Sequence, residues 1–191
     1  MNSFRGLKPE LCAEYLSLTP YTFCLLLDHI TLTILSTGKE TVKMAECFSL
    51  TEIRGDLFST PSAESLAHCI SKDCRLGAGI AKLFKQKFGR ITELKQMGTD
   101  VGGVSPIRLS PFGGRYVYHL VTKEKYFHKP TYESLRSSLV AMRDHATKNE
   151  IKRISMPKLG CGLDKLEWPK VLDIIHEVFT DTTIQIKVYV L

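Results

Sequence analysis

The 191-residue chain lacks the marks of several large functional classes. It has no apolar run of membrane-spanning length. The best candidate, residues 21–35, is short and carries Asp28 and His29 at its middle. A carboxylate at a bilayer centre costs roughly 2.5–3.5 kcal/mol on insertion scales. No basic stretch stands directly before that run and no small-residue cleavage site follows it, which argues against a signal peptide. The six cysteines, Cys12, Cys24, Cys47, Cys69, Cys74 and Cys161, contain no CxxC pair. They read as reduced thiols of an intracellular protein. His68, Cys69 and Cys74 lie close together in the chain, but their spacing fits no common zinc pattern and favours core packing. Neither GxGxxG nor GxxxxGK[ST] occurs, which disfavours a nucleotide triphosphatase. There is no internal repeat and no low-complexity tract. An aromatic-and-basic motif of the RNA-recognition type is also missing, leaving RNA binding with basic charge as its only support.

What remains is a globular composition, 43% hydrophobic and 24% charged, long enough for one domain with a core. Net charge is +6, unevenly placed. Residues 1–51 hold four Lys/Arg and five Asp/Glu, so the rest of the chain carries +7. A basic main domain favours an anionic ligand or polymer, or is a solvated basic surface. The domain boundary falls near residue 46. Residues 1–45 read as an extension: an added helix or hairpin, a poorly ordered segment, or an artefact of how the reading frame was assigned.

Along the main domain, residues 48–54, 65–70, 104–109, 115–122, 153–156 and 184–190 have strand character. The run Arg115–Thr122 is aromatic and β-branched. Residues 80–88 show helical spacing, with Gly89 as the stop, and residues 91–97 add another turn or two. Thr131 can cap a long helix running to about Asn149, with Leu135, Leu139, Met142 and Ala146 as its buried stripe. Pro169 suits the first turn of a last helix whose apolar face is Val171, Ile174, Ile175 and Val178. Strands alternating with helices predict an α/β fold with a mostly parallel sheet covered on both faces. Ligands of such sheets bind at the C-terminal strand ends. That rule selects Asp56, Ser71, Lys123 and the stretch Lys158–Asp164.

Two glycine loops sit where strand gives way to helix: Gly77-Ala78-Gly79-Ile80-Ala81 and Lys158-Leu159-Gly160-Cys161-Gly162-Leu163-Asp164. Glycine lets bare backbone N–H groups approach a phosphate, so Gly77, Gly79, Gly160 and Gly162 are candidate pyrophosphate contacts; equally, they close tight turns. Asp164 adds a carboxylate that phosphate binding alone does not require. Lys123, at a strand end, is either held charged for electrostatics or, if desolvated, a nucleophile toward a carbonyl or a sugar anomeric carbon. Asp164 is its natural proton acceptor or orienter. Cys161 has no histidine beside it and reads as a small packing residue rather than a nucleophile. Asp56 can accept from an adenine amino group or close an Asx turn after Gly55.

With these segments assembled, the chain resembles a macrodomain. The resemblance is carried by Gly55-Asp56-Leu57-Phe58, Ser65–Ser71, Asp73–Ala81, Thr122-Lys123, His128–Glu133 and Ser155–Asp164, and runs from about Thr51 to Leu191. It is nearest to the branch that cleaves ADP-ribose from proteins and deacetylates O-acetyl-ADP-ribose. It implies a three-layer α/β/α fold over residues 46–191, with a central mixed, mostly parallel sheet and an ADP-ribose cleft. Asp56, Leu57 and Leu191 would lie at the adenine end, and Ser71 would touch the ligand. The Gly77–Ala81 loop, including Ile80, and the second loop from Lys158 through Leu159, Gly160, Cys161, Gly162 and Leu163 would enclose the pyrophosphate and distal ribose. Lys123 and Asp164 fall at the family's catalytic lysine and acid. The implied reaction frees glutamate or aspartate side chains of ADP-ribose and deacylates O-acyl-ADP-ribose, without metal or cofactor. The resemblance also implies ADP-ribosylated proteins as partners, poly(ADP-ribose) as a further ligand, and no membrane partner. A monomer in nucleus and cytosol, acting in the DNA damage response, completes the expectation. The rival from another class is a reader that binds ADP-ribose and turns nothing over. Residues 95–114 depart most from the family pattern.

Overall fold

In the computed structural model, residues 47–110 and 114–191 are described. The expectations for residues 1–45, including the apolar run at 21–35, lie outside them. The elements follow the alternation read from the sequence. They are β1 (Ser49–Arg54), β2 (Ser65–Ser71), α1 (Gly79–Phe88), α2 (Ile91–Met97), β3 (Val104–Arg108), β4 (Tyr116–Lys123), α3 (Tyr132–Lys148), β5 (Arg153–Pro157), α4 (Trp168–Phe179) and β6 (Gln185–Val190). A single 3-10 turn, Leu57–Ser59, follows β1.

The strands form one sheet in the order β1-β6-β5-β2-β4-β3. Pairing is parallel throughout except at β3, which runs antiparallel to β4. Pro106 is tolerated inside β3 because that strand is an edge and one side of its backbone needs no partner. Five strands therefore point the same way. Their ends, Arg54, Ser71, Lys123, Pro157 and Val190, share one edge of the sheet.

Side-chain alternation splits the sheet into two buried faces. On one, Ala67, Tyr118, Leu120, Ile154, Met156, Ile186 and Val188 meet Leu135, Leu139, Met142 and Ala146 of α3 and Val171, Ile175 and Val178 of α4. Both helical stripes are thus buried as their spacing indicated, with Ile174 only half-buried at the margin. Each fully buried Leu, Ile or Met contributes roughly 1.5–3 kcal/mol. On the other face, Leu66, Val117 and Leu57 pack on Phe84 of α1, and Ile70 and Val121 pack with Leu94 of α2. The result is a three-layer α/β/α sandwich.

The helix ends are set by local chemistry. Thr131 Oγ1 accepts from Ser134 N at 3.0 Å and Ser134 Oγ accepts from Thr131 N at 3.1 Å, a reciprocal capping box. Gly89 ends α1 at φ +62°, its N–H bonded to the Lys85 carbonyl. Pro169 occupies the first turn of α4. Alternation also separates the residues that might have suggested a metal. His68 faces α1 and stacks on Phe84, whereas Cys69 points to the α3/α4 side. Among the described residues, no group of three or more His, Cys, Asp or Glu side chains could hold an ion. No helix among them is long and apolar enough to cross a membrane.

Candidate active site

A cleft of about 740 Å³ opens at the C-terminal strand edge, within the range of small-molecule sites. Its walls are the two glycine loops, and its third side is the connection from β4 to α3. Of the residues singled out from the sequence, Ser71, Gly77, Gly79, Ile80, Lys123, Lys158, Leu159, Gly160, Gly162, Leu163 and Asp164 line it.

The first loop is built to stay open. Cys74 and Leu76 both adopt left-handed backbone, at φ +49° and +43°, a conformation that costs a non-glycine residue of order 1–3 kcal/mol. Their buried side chains, packed with Ile70, Leu94 and Val121, hold the strained turn in place. Gly79 follows at φ +54° as the first residue of α1. Ala78, at the cap position, offers no side-chain bond. Among the described residues, nothing takes up the N–H groups of Gly77, Ala78, Gly79 and Ile80. Unpartnered donors at a helix N-terminus form an anion site.

The second loop leaves β5 and folds on itself. Cys161 N donates to Lys158 O, Lys165 N to Gly162 O and Leu166 N to Gly160 O. Gly160 is required by the fold: its φ is +68°, and a Cβ there would stand 2.6 Å from Leu166 Cδ1. Gly162 is different, because a Cβ there would meet nothing within 4 Å. Leu159 is a core residue. Leu163 is two-thirds exposed and reaches across the cleft mouth, its Cδ1 lying 3.4 Å from where a Cβ on Gly79 would be.

Between the loops, Lys123 Nζ meets Asp164 Oδ1 at 2.5 Å, with side chains only 12% and 15% exposed. Asp164 is the only carboxylate on the cleft wall among the described residues. Nearby, Asp73 is taken up by Ser71 Oγ at 2.5 Å, Tyr126 N at 3.1 Å and Arg75 N at 3.4 Å. Partial burial would raise the Asp73 carboxyl, but these donors outweigh it and hold the group below its ordinary value. Lys158 is 3.1 Å from Glu52, whose other oxygen accepts from Trp168 Nε1 at 2.7 Å.

Other residues stand elsewhere. Asp56 caps the 3-10 turn, accepting from Phe58 N at 2.9 Å, so its Asx-turn reading describes the side chain here. Leu57 is buried against Leu66, Phe84 and Val117. Leu191 is fully exposed beyond β6. These three sit at the β1 and β6 ends and do not line the cleft, nor does Cys161. The Cys161 thiol donates to Leu159 O at 3.3 Å and is pushed up by burial, opposed by Lys158. Cys69, beneath Lys123, is pushed to about 12 by burial and then by Asp164. Both thiols are unsuited to nucleophilic work. Arg75, Tyr126, Phe127, His128 and Lys129 also line the cleft. The sequence singled out His128–Glu133 among the segments that carry the resemblance but gave none of these five residues a role at the site; the aromatic and basic residues between a strand end and a helix cap were the available signal.

The Macro domain model matches residues 66–175, a segment that contains both loops, Lys123 and Asp164. The chain belongs to the Macro domain family. It is 52% identical to the ADP-ribose glycohydrolase OARD1 of Bos taurus and 51% identical to that of Homo sapiens. Each alignment spans 142 residues, 74% of this chain and 91% of the relative. Among solved structures, the macrodomain of Thermus aquaticus DarG superposes with a TM-score of 0.69 at 23% identity, covering 75% of this chain and 99% of that one, a likeness of fold.

Proposed function

We propose that the chain is an ADP-ribosyl-acceptor hydrolase that releases ADP-ribose from glutamate and aspartate side chains and deacylates O-acyl-ADP-ribose. Its relatives named ADP-ribose glycohydrolase share half of its residues over nine-tenths of their own length, which supports hydrolysis of ADP-ribose compounds as the general activity. The finer reading rests on one observation: the 2.5 Å contact of Lys123 with Asp164, across the cleft from a loop whose N–H groups are unpartnered.

The loops hold the pyrophosphate and present the distal ribose to the amine. Lys123 passes a proton to Asp164, and its nitrogen lone pair attacks the anomeric carbon. The C–O bond to the acyl group breaks and the acceptor leaves as a carboxylate. Attack by water then breaks the C–N bond and gives ADP-ribose; the proton the water loses passes to solvent, and Asp164 returns its own to the amine. A carboxylate needs no general acid to depart, so one amine and one acid suffice. A nuclear and cytosolic monomer acting on ADP-ribosylated proteins is part of the same proposal.

The test is turnover of a glutamate-ADP-ribosylated protein by wild type and Lys123→Ala, with ADP-ribose affinity measured in parallel. The hydrolase reading expects release to vanish in the variant while binding persists. Equal turnover would remove Lys123 from the mechanism, and binding without turnover in wild type would make the protein a reader.

A further inference from the structure

Asp164 must meet Lys123 for the proposed reaction. Its own loop turns around it through Lys165 N to Gly162 O at 3.2 Å and Leu166 N to Gly160 O at 2.9 Å, main-chain bonds that leave its side chain untouched. The next residue, Lys165, has left-handed backbone at φ +61°, and Gly162 and Leu163 on the other side are exposed. Two further contacts bracket Asp164 from outside the loop, one from the β4–α3 connection and one from the first residue of α3. Lys129 Nζ donates to the Leu163 carbonyl at 2.7 Å, one residue before Asp164. Tyr132 Oη accepts from Glu167 N at 3.1 Å, three residues after it. Neither bond belongs to a helix or strand ladder, and neither touches Asp164.

The connection and the start of α3 that supply these clasps are themselves anchored to the strand that carries Lys123. Ser134 Oγ, already part of the α3 capping box, lies 2.8 Å from the Thr122 carbonyl, the residue before Lys123. Pro130 is buried. One frame therefore carries the amine and also grips the loop that carries the acid.

We propose that Lys129 and Tyr132 are positioning residues that hold the Leu163–Glu167 segment so that the Asp164 carboxylate reaches the Lys123 amine. The inference rests on the hydrolase reading for its kinetic arm and on geometry alone for its labelling arm. Lys129 is an exposed side chain on the cleft rim, so Lys129→Met removes the donor without removing a core contact. Lys129→Arg keeps a charged donor and serves as the conservative rescue.

The experiment compares wild type, Lys129→Met, Lys129→Arg and Tyr132→Phe. It measures kcat and KM on a glutamate-ADP-ribosylated protein, ADP-ribose affinity, and acetic anhydride labelling of Lys123 read by mass spectrometry. Lys129→Met and Tyr132→Phe should each lower kcat between about tenfold and hundredfold, with KM and affinity within about twofold, because a small misplacement of an acid costs rate rather than binding. Labelling of Lys123 should rise as its carboxylate partner loosens, and Lys129→Arg should restore both readouts. Unchanged kcat and labelling in Lys129→Met would overturn the proposal. So would a loss of ADP-ribose affinity with kcat intact, which would make Lys129 a ligand contact. Should wild type prove inactive, the hydrolase reading falls but the labelling still decides: raised labelling in Lys129→Met supports the clasp, and unchanged labelling overturns it.

Discussion

Lys123 and Asp164 stand 41 residues apart in the chain and 2.5 Å apart in space, one at the end of β4 and the other in the loop after β5. The parallel strand β2 lies between β4 and β5, so the pair bridges the width of that strand above its C-terminal end. Three other cations, Arg75, Lys129 and Lys158, line the same cleft, and Asp164 is the only acid there among the described residues. The cleft is therefore basic, and its single acid is spent on the lysine.

If the lysine forms a bond to the sugar, removing the acid should strand the intermediate. Asp164→Ala should lower turnover by roughly 10²–10⁴-fold, the span of one proton-transfer group. Mass spectrometry of the variant after exposure to modified protein should find one ADP-ribose moiety added at Lys123. Lost turnover with no adduct would assign the lysine an electrostatic role instead.

Two glycines of one loop should respond oppositely to alanine. Gly160→Ala forces a methyl to 2.6 Å from Leu166 in a left-handed backbone, and should cost about 1–3 kcal/mol of stability. Gly162→Ala meets no protein atom, so its melting should shift by no more than about 0.5 kcal/mol equivalent. Because Gly162 faces the cleft, its methyl should nevertheless weaken ADP-ribose binding by about tenfold or more. Calorimetric titration beside a thermal melt checks both. A Gly162→Ala protein that binds normally would show that the loop does not approach the ligand closely.

Much of this arrangement was legible before any coordinates. The stripe Leu135, Leu139, Met142 and Ala146 has helical spacing and is wholly buried. The mostly parallel direction of the strands follows from alternating elements, and it places Ser71, Lys123 and the Lys158–Asp164 loop on one edge. Loop geometry was harder to read. Nothing in a pattern of residue types says that Lys129 spends its amine on the Leu163 carbonyl, because that bond joins two irregular segments 34 residues apart. Likewise, Leu57 after Gly55-Asp56 read as a ligand neighbour, while its side chain fills the layer beneath α1. Period and alternation report which face an element buries; they are silent about how two loops meet.

Away from the cleft, Glu64 offers a test of stability without function. It is only 3% exposed, and it accepts from Ser155 Oγ at 2.9 Å and from Lys187 Nζ at 2.6 Å. Burial pushes its carboxyl up, but Lys187 and Ser155 outweigh that and hold it below the ordinary value. Lys187→Met removes the cation and leaves the buried carboxylate, which should cost about 2–3 kcal/mol, at or below the lower end for a broken buried pair because Lys187 is a third exposed. Urea melts should show that loss with ADP-ribose affinity unchanged. An unaltered urea midpoint would mean that the carboxylate is adequately served by Ser155 alone.

Acid should act first on the layer beneath α1. His68 Nε2 and His119 Nδ1 are 2.8 Å apart, both rings are buried, and His68 stacks on Phe84 at 3.8 Å. Burial, then the neighbouring His119, drives His68 well below its ordinary value, and burial lowers His119 from 6.5 to about 4. Both groups fold neutral, so the unfolded chain binds more protons once pH drops below about 6.5, and stability falls with pH from there. For His119 alone the loss by about pH 4 is up to about 3 kcal/mol. Glu64 and Asp73, with carboxyls held low, lose their contributions only below their ordinary values of 4.5 and 3.8, so the window above about pH 5 belongs to this pair and to His145 on α3, which burial and then Lys148 also hold low. Urea midpoints taken at about pH 7 and about pH 5 should fall in wild type and fall less in His119→Gln, which keeps an amide beside His68 but cannot take up the proton. Because α1 begins at Gly79 on the cleft, ADP-ribose binding should weaken in the same window. Identical pH slopes for the two proteins would show that this pair does not set the acid limit of the fold.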